Sequence, residues 1–494
     1  MHRSIIVAAL TALLFGCNSS DSNTNTFSST LSPTVVNSSD CPANMQCGLL
    51  PVPKSYTDNN GETIDIYYAV HKALDSDNRI GILVLNFGGP GGESVNSTSS
   101  MVQNYLPQEI LERFDIVGID PRGTGKSAYS QALTDCAVAQ SIGTGNCDAV
   151  YTATAPYLGS NSIVKDIDQL RSFLGEEKLN FLGYSYGTRL GSLYANIFPE
   201  NVRAIVLDSP MPPATGNYVD LQLGNTAGND LVADYRLGFD STRKLQYENI
   251  ITTTFNNIYY HASDGFALSI PDAVSTLYLT VSREHSGYWQ AIQSGLFDLL
   301  DNDYVSLLNW QLASIGTSED DADSLRSQAL FKAVVCTDES QPLSRDDIVA
   351  TQSSFESTST LYGLVSYYSS FLCADWSDQR DPIAAVENME HVLAGQQILI
   401  IGGKYDPATP YQWTEEMVNS FGNSASLITV DQLVSHAFSY TDISCVDAKA
   451  TQYLLDPDTK IENTSCSGTP QNQTFMRALS KPVHPARKNP QGTY

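Results

Sequence analysis

Gly183-Tyr184-Ser185-Tyr186-Gly187 is the stretch that decides the fold. It has the G-x-S-x-G form of a nucleophile elbow, in which a strand turns sharply into a helix and leaves a serine hydroxyl exposed above the sheet edge. The flanks fit that reading. Lys178 to Leu182 read as a short apolar strand, and Leu190, Leu193, Tyr194, Ile197 and Phe198 recur at helical spacing until Pro199 stops the helix. Two glycines and a serine also arise by chance in a long chain, so the surroundings have to carry the argument.

Working outward, Met45 to Pro53 and Thr63 to Val70 flank Asn59-Asn60-Gly61 and read as a β-hairpin. Ile80 to Asn86 form an apolar strand that runs into Phe87-Gly88-Gly89-Pro90-Gly91-Gly92-Glu93-Ser94, and Phe114 to Ile119 form the next. Ile163, Val164, Ile167, Leu170, Phe173 and Leu174 mark an amphipathic helix with Gly175 as its stop. Ala204 to Leu207 give a strand after the elbow helix. Beyond Pro212-Pro213 the chain turns helical and Tyr- and Ser-rich, and the α/β rhythm returns with a strand at Ile398 to Ile401, a helix at Tyr411 to Phe421 and a strand at Leu427 to Val430. Alternating strands and helices predict a mainly parallel sheet. The fold class expected is therefore α/β, an α/β-hydrolase fold with an inserted, mostly helical lid. The core occupies 41–213 and 390–480, and the lid 214–389.

The termini read differently. His2, Arg3 and the apolar run Ile5 to Phe15 form an export signal at 1–16, too short to span a bilayer as a permanent helix. Leu14-Phe15-Gly16-Cys17 resembles a bacterial lipobox, which makes Cys17 a lipidation site, with plain secretion as the alternative. Residues 17–40 are rich in Ser, Asn, Thr and Asp and read as a flexible tether, and 481–494 as a polar tail. Eight cysteines remain, and an even set in an exported chain points to disulfides. Sequence neighbours are the expected pairs: Cys41 with Cys47, Cys136 with Cys147, Cys336 with Cys373, and Cys445 with Cys466.

With 27 basic against 54 acidic residues the net charge is −27, which repels nucleic acid and anionic membranes. Neither a C-x-x-C pair nor an H-E-x-x-H string occurs, and no metal or cofactor is expected. Arg122-Gly123-Thr124-Gly125-Lys126-Ser127 invites a phosphate-loop reading, but the first glycine of that motif would fall on Asp120.

An elbow serine requires an acid and then a histidine further along the chain. Asp406 lies in Gly402-Gly403-Lys404-Tyr405-Asp406-Pro407-Ala408-Thr409-Pro410, directly after a strand, while Asp208 at the end of its own strand competes for the acid role. His436 follows one helix and one strand later, and the only later histidine, His484, sits in the tail. Ser185, Asp406 and His436 form the expected catalytic triad. The oxyanion donors expected are the N–H of Tyr186 and the glycine loop at Gly88 and Gly89.

Taken together, the GGPGG loop, FDIVGIDPRGTGKS, GYSYGT, GGKYDPATP and the His436 loop resemble the exported tripeptidyl aminopeptidases, α/β hydrolases related to prolyl iminopeptidases. The resemblance covers about Cys41 to Cys466. It implies a peptidase that removes short peptides from free N-termini through an acyl-enzyme, and the group also includes carboxylesterases. Such a peptidase needs acids to hold the substrate α-ammonium, for which Glu93, Asp338 and Glu339 are the candidates. At Phe87 the prolyl iminopeptidase pattern has a histidine, which argues against single-proline specificity. Two other readings stand beside the aminopeptidase: an esterase with the same triad, and a non-catalytic binding lipoprotein on a hydrolase scaffold.

Overall fold

The computed structural model describes residues 34–35, 41–58, 60–214, 216–236, 245, 260–261, 267–268 and 322–468. The expected export signal with Cys17, the expected tether apart from Thr34–Val35, most of 237–321 within the expected lid, and the expected tail lie outside the described residues.

The strands in chain order are β1 (Thr34–Val35), β2 (Gln46–Pro53), β3 (Thr63–His71), β4 (Gly81–Asn86), β5 (Phe114–Ile119), β6 (Leu179–Tyr184), β7 (Val202–Asp208), β8 (Tyr260–His261), β9 (Ala267–Leu268), β10 (Ile398–Gly403), β11 (Ala425–Asp431) and β12 (Thr464–Ser467). Ten of them form one sheet in the order β1-β2-β3-β5-β4-β6-β7-β10-β11-β12, with β8 and β9 paired separately. The hairpin edge is antiparallel through β3 and β5, and every pairing from β5 to β12 is parallel. The mainly parallel sheet expected from the alternation is therefore present.

A parallel sheet needs both faces covered, and its strands then carry apolar side chains at every position. In β4, Ile82 and Val84 enter one buried cluster while Leu83 and Leu85 enter the other. In β10, Ile398 and Ile400 divide from Leu399 and Ile401 in the same way. The helix Ser160–Phe173 supplies Ile163, Val164, Ile167 and Leu170 to the first cluster, and Gly175 ends it with φ +78°. On the other face, the helix Ser444–Leu455 supplies Val446, Ala450, Tyr453 and Leu454.

The described parts of the insertion are mostly helical, with the short pair β8 and β9. A first cap helix, Tyr218–Arg236, and a second, Ala322–Asp338, are followed by shorter helices to Ser369. The two cap helices meet where Glu339 accepts a hydrogen bond from the Tyr218 N–H at 2.9 Å and where the Tyr218 and Phe331 rings stand edge to face at 6.2 Å. Cys41–Cys47, Cys136–Cys147, Cys336–Cys373 and Cys445–Cys466 are joined, so each disulfide links sequence neighbours. Cys336–Cys373 ties the end of the second cap helix to the turn after the last short helix.

Candidate active site

The sheet order brings the site together. Five neighbouring strands end side by side in the order β4, β6, β7, β10 and β11, and at or just beyond their ends stand the glycine loop, Ser185, Asp208, the Asp406 loop and the His436 loop. The chain order reverses at β4, whose neighbours are β5 and β6. In open α/β sheets the crevice at the carboxyl ends of such strands is where ligands bind.

The elbow itself is sterically forced. Ser185 sits at φ 56° and ψ −124°, a backbone that L-residues rarely adopt, and it is the N-cap of the elbow helix Tyr186–Ile197. A Cβ on Gly183 would come within 2.4 Å of the Gly187 carbonyl oxygen, and one on Gly187 within 2.6 Å of the Asn86 carbonyl oxygen. Both motif glycines are therefore required by close backbone approach rather than by turn propensity.

The glycine loop packs directly against the elbow. Gly88 adopts φ +85°, and a Cβ there would lie 2.9 Å from both the Ser185 Cβ and the Tyr186 nitrogen. Its N–H donates to the Asn86 Oδ1 at 3.1 Å. Gly88 therefore supplies the close approach to the elbow, with its own N–H committed within the loop. The Tyr186 N–H opens the elbow helix, where no intrahelical acceptor exists.

Asp406 and His436 are in contact. His436 Nδ1 lies 3.0 Å from Asp406 Oδ1 and 2.9 Å from Oδ2. Oδ1 also accepts the N–H groups of Ala408 (2.8 Å) and Thr409 (2.9 Å), and Oδ2 accepts the Thr409 hydroxyl at 2.9 Å. The carboxylate is fully buried and held by its own loop. Burial pulls the His436 pKa down, but the Asp406 and Asp208 carboxylates outweigh it and leave the imidazole above 6.5.

Asp208, the competing acid, has a different task. It is buried and accepts the N–H groups of Phe438 (3.0 Å) and Ser439 (2.6 Å) and the Ser439 hydroxyl (2.6 Å). Its neighbour Ser209 accepts the Ala437 N–H at 2.8 Å, and its own carbonyl accepts the Ser185 N–H at 3.0 Å. One residue thus fixes the backbone of both the serine turn and the histidine loop. Burial pushes its carboxyl up to about 6, against the pull of the Ser439 and Phe438 donors.

The three acids named for a substrate ammonium are already engaged. Asp338 is buried and accepts the Ser160 N–H at 2.8 Å and its hydroxyl at 2.5 Å. Glu339, also buried, caps Tyr218 and pairs with Arg380 at 3.3 Å. Asp338 thus ties the cap to the core and Glu339 ties parts of the cap together, and both side chains are buried rather than open at the surface. Glu93 pairs with Arg326 of the second cap helix at 3.0 Å and keeps 24% side-chain exposure beside the glycine loop.

The stretch Asp120 to Ser127 is structural. Arg122 is wholly buried, donates to Asp166 at 2.6 and 2.8 Å, and donates to the carbonyls of Pro53, Lys54 and Tyr157. Asp120 accepts the N–H groups of Ser94 (2.9 Å) and Val95 (2.8 Å), capping the helix that leaves the glycine loop. Thr409 and Ser160 carry no role in the sequence reading, and Asp208 carries one only as a rival acid. Thr409 alone had a local sign, a hydroxyl three residues after Asp406 in a tight loop.

Two family descriptions match the chain: "alpha/beta hydrolase fold" over residues 81–255 and "TAP-like protein" over residues 359–466. The serine protease Hip1 of Mycobacterium tuberculosis is 27% identical over 478 residues, covering 86% of this chain and 88% of its own. The tripeptidyl aminopeptidase of Streptomyces coelicolor is 24% identical over 468 residues, covering 86% and 84%. The carboxylesterase B of M. tuberculosis is 28% identical over 448 residues, covering 83% and 84%.

Proposed function

We propose that this chain, a TAP-like α/β hydrolase, is a serine aminopeptidase that releases short peptides, of tripeptide type, from free N-termini. The observation that carries the reading is the His436 imidazole held through Nδ1 by a buried carboxylate, with the strained Ser185 turn anchored to the same Asp208 that fixes the histidine loop.

With Nδ1–H donated to Asp406, the His436 Nε2 carries the lone pair and takes the Ser185 proton as the hydroxyl attacks the substrate carbonyl. Charge develops on the carbonyl oxygen and is met by the N–H groups of Tyr186 and Gly89, each typically worth about 3 kcal/mol in such sites. His436 then protonates the leaving amine, and water hydrolyses the acyl-enzyme by the same route in reverse. Asp208 and Thr409 act through His436 and Asp406 without touching substrate.

Glu93 is the acid proposed to meet the substrate ammonium, because it alone of the three named acids keeps solvent contact, next to the glycine loop. The four disulfides support export to an oxidising compartment, and lipidation at Cys17 is proposed as the anchor.

Comparing a free-amine tripeptide amide, its N-acetylated form and a short acyl ester tests the substrate class. The free-amine peptide is expected to be cleaved and the acetylated one spared. Ester turnover without peptide cleavage would establish the carboxylesterase reading instead, and no turnover of any of the three, with no labelling of Ser185 by a fluorophosphonate, would leave only a binding protein.

A further inference from the structure

The residue that follows the nucleophile is wired to the cap. Tyr186 is buried, and its hydroxyl lies 2.6 Å from the Ser160 Oγ, which in turn lies 2.5 Å from Asp338 Oδ2. Asp338 Oδ1 accepts the Ser160 N–H at 2.8 Å. Ser160 has one hydroxyl proton, and the ionised carboxylate can only accept. The chain therefore runs one way: the Tyr186 O–H donates to Ser160 Oγ, and the Ser160 O–H donates to Asp338.

Asp338 is the last residue of the second cap helix, and Ser160 and Tyr186 open two core helices. Twelve residues earlier on the same cap helix, Arg326 pairs with Glu93, and the Ser327 carbonyl lies 2.8 Å from where a Cβ on Gly91 would stand. At about 1.5 Å per residue, those two contacts are about 18 Å apart along the helix. A single rigid element thus bears on both walls that would meet the substrate oxygen, the glycine loop at one end and the residue bearing the Tyr186 N–H at the other.

We propose that Asp338 is a positioning residue for the oxyanion donor of the elbow, acting through Ser160 and the Tyr186 hydroxyl, so that docking of the second cap helix aligns the Tyr186 N–H for catalysis. The inference rests on the serine-hydrolase reading above. The network is fully desolvated, and in such a setting a fixed ring holds its own backbone N–H against the rotation that would misaim it. Burial pushes Asp338 up to about 6, with Arg189 and Ser160 opposing that rise and Asp381 adding to it. Arg189, buried on the elbow helix, is the cation that balances the carboxylate.

The test uses the full chain with Tyr186→Phe, Ser160→Ala, Asp338→Asn and the double variant Tyr186→Phe/Asp338→Asn. The readouts are kcat, KM, melting temperature and the Ki of a boronic acid, which mimics the tetrahedral state. Each single variant is expected to lose about tenfold in kcat with KM within twofold, and the boronic acid Ki should weaken in parallel. The double variant should be no worse than the weaker single, because the three groups act as one unit. A purely structural role would lower the melting temperature and leave kcat and Ki of the folded enzyme unchanged, which overturns the proposal, as do losses that add. Should Asp338→Asn fail to fold, Tyr186→Phe removes a single oxygen and decides alone. A wild-type protein that neither binds the boronic acid nor is labelled at Ser185 would instead refute the hydrolase reading, a result distinct from the failure of the relay.

Discussion

Replacing Asp406 with Asn leaves the shape of the acid loop almost unchanged and reverses one hydrogen bond. Oδ1 of Asp406 accepts two backbone N–H groups, from Ala408 and Thr409, so the oxygen of an asparagine amide must take that place. The NH2 group is then forced into the position of Oδ2, facing His436 Nδ1 at 2.9 Å. An amide N–H donates to Nδ1 and selects the tautomer with hydrogen on Nε2, which has no lone pair for the Ser185 proton. Loss of the correct tautomer in a serine triad costs about 10⁴ in kcat, or about 5.4 kcal/mol at 1.36 kcal/mol per factor of ten. The magnitude is transferred from a protease of another fold, while the enforced amide orientation comes from this loop. KM should stay within about threefold, because Asp406 is buried and out of reach of substrate. Stopped assays on the preferred substrate, with Asp406→Ala as companion, measure both constants. A kcat loss under tenfold in Asp406→Asn would refute the reasoning, since it would mean that His436 does not depend on this carboxylate for its tautomer.

Other outcomes follow from the same geometry. Thr409→Val deletes the hydroxyl that donates to Asp406 Oδ2, and a drop of about tenfold in kcat with little change in melting temperature is expected from steady-state kinetics beside calorimetry. Glu93→Gln should raise KM for a free-amine peptide at least tenfold and leave ester turnover unchanged; an equal effect on both substrates would remove the ammonium role. Removing Cys336–Cys373 by a double Cys→Ala change opens a loop of 37 residues, for which chain entropy gives about 4 kcal/mol, read as a lowered melting temperature.

The core strands and the contact of Asp406 with His436 were legible because each rests on local pattern. The runs Ile80 to Asn86 and Phe114 to Ile119 are apolar with little alternation, so they read as buried strands, and Gly81–Asn86 and Phe114–Ile119 are buried along their whole length. The helix Ser94–Asn104 has no legible apolar stripe because most of its sequence is Ser, Asn and Thr, and its start is fixed from a distance by Asp120. The helix Ser444–Leu455 and strand β12 were likewise not marked, since their apolar residues pack against a face set by distant strands.

Acids were where local reading failed. Asp338 and Glu339 stand next to each other in an acidic chain and look like surface charge, yet both are buried. Their partners Ser160, Tyr218 and Arg380 lie 178, 121 and 41 residues away in sequence. Asp208 was legible as a strand-end acid, and its actual partners, 230 and 231 residues on, were not. Tertiary desolvation, not residue type, separates the buried Asp338 and Glu339 from the part-exposed Glu93.

That separation has a consequence in pH. Desolvation pushes Asp120, Asp208 and Asp338 each up to about 6, so each keeps its proton in the folded chain at pH values where the unfolded chain, with a carboxyl near 3.8, has lost it. The folded state binds more protons in that window, and stability therefore rises as pH falls through 6 toward 4, on the order of 3 kcal/mol per group at the limit. His436, raised above 6.5, acts in the same direction: its contribution is full below 6.5 and is lost as pH rises through the folded value. Relief of self-repulsion in a chain of net charge −27 adds to both. Asp115 works the other way, lowered by Lys72, Ala73 and Arg79 against burial, but its effect begins only below about 4. Activity needs neutral His436, so kcat/KM should fall as pH drops below a value above 6.5. Melting temperature and kcat/KM should thus move in opposite directions between pH 8 and 5. Asp208→Asn, which removes one of the charges that raise His436, should carry the acid limb of kcat/KM to lower pH. A melting temperature that rises with pH across that range, or an acid limb that stays fixed in Asp208→Asn, would show that these buried carboxylates do not control the titration.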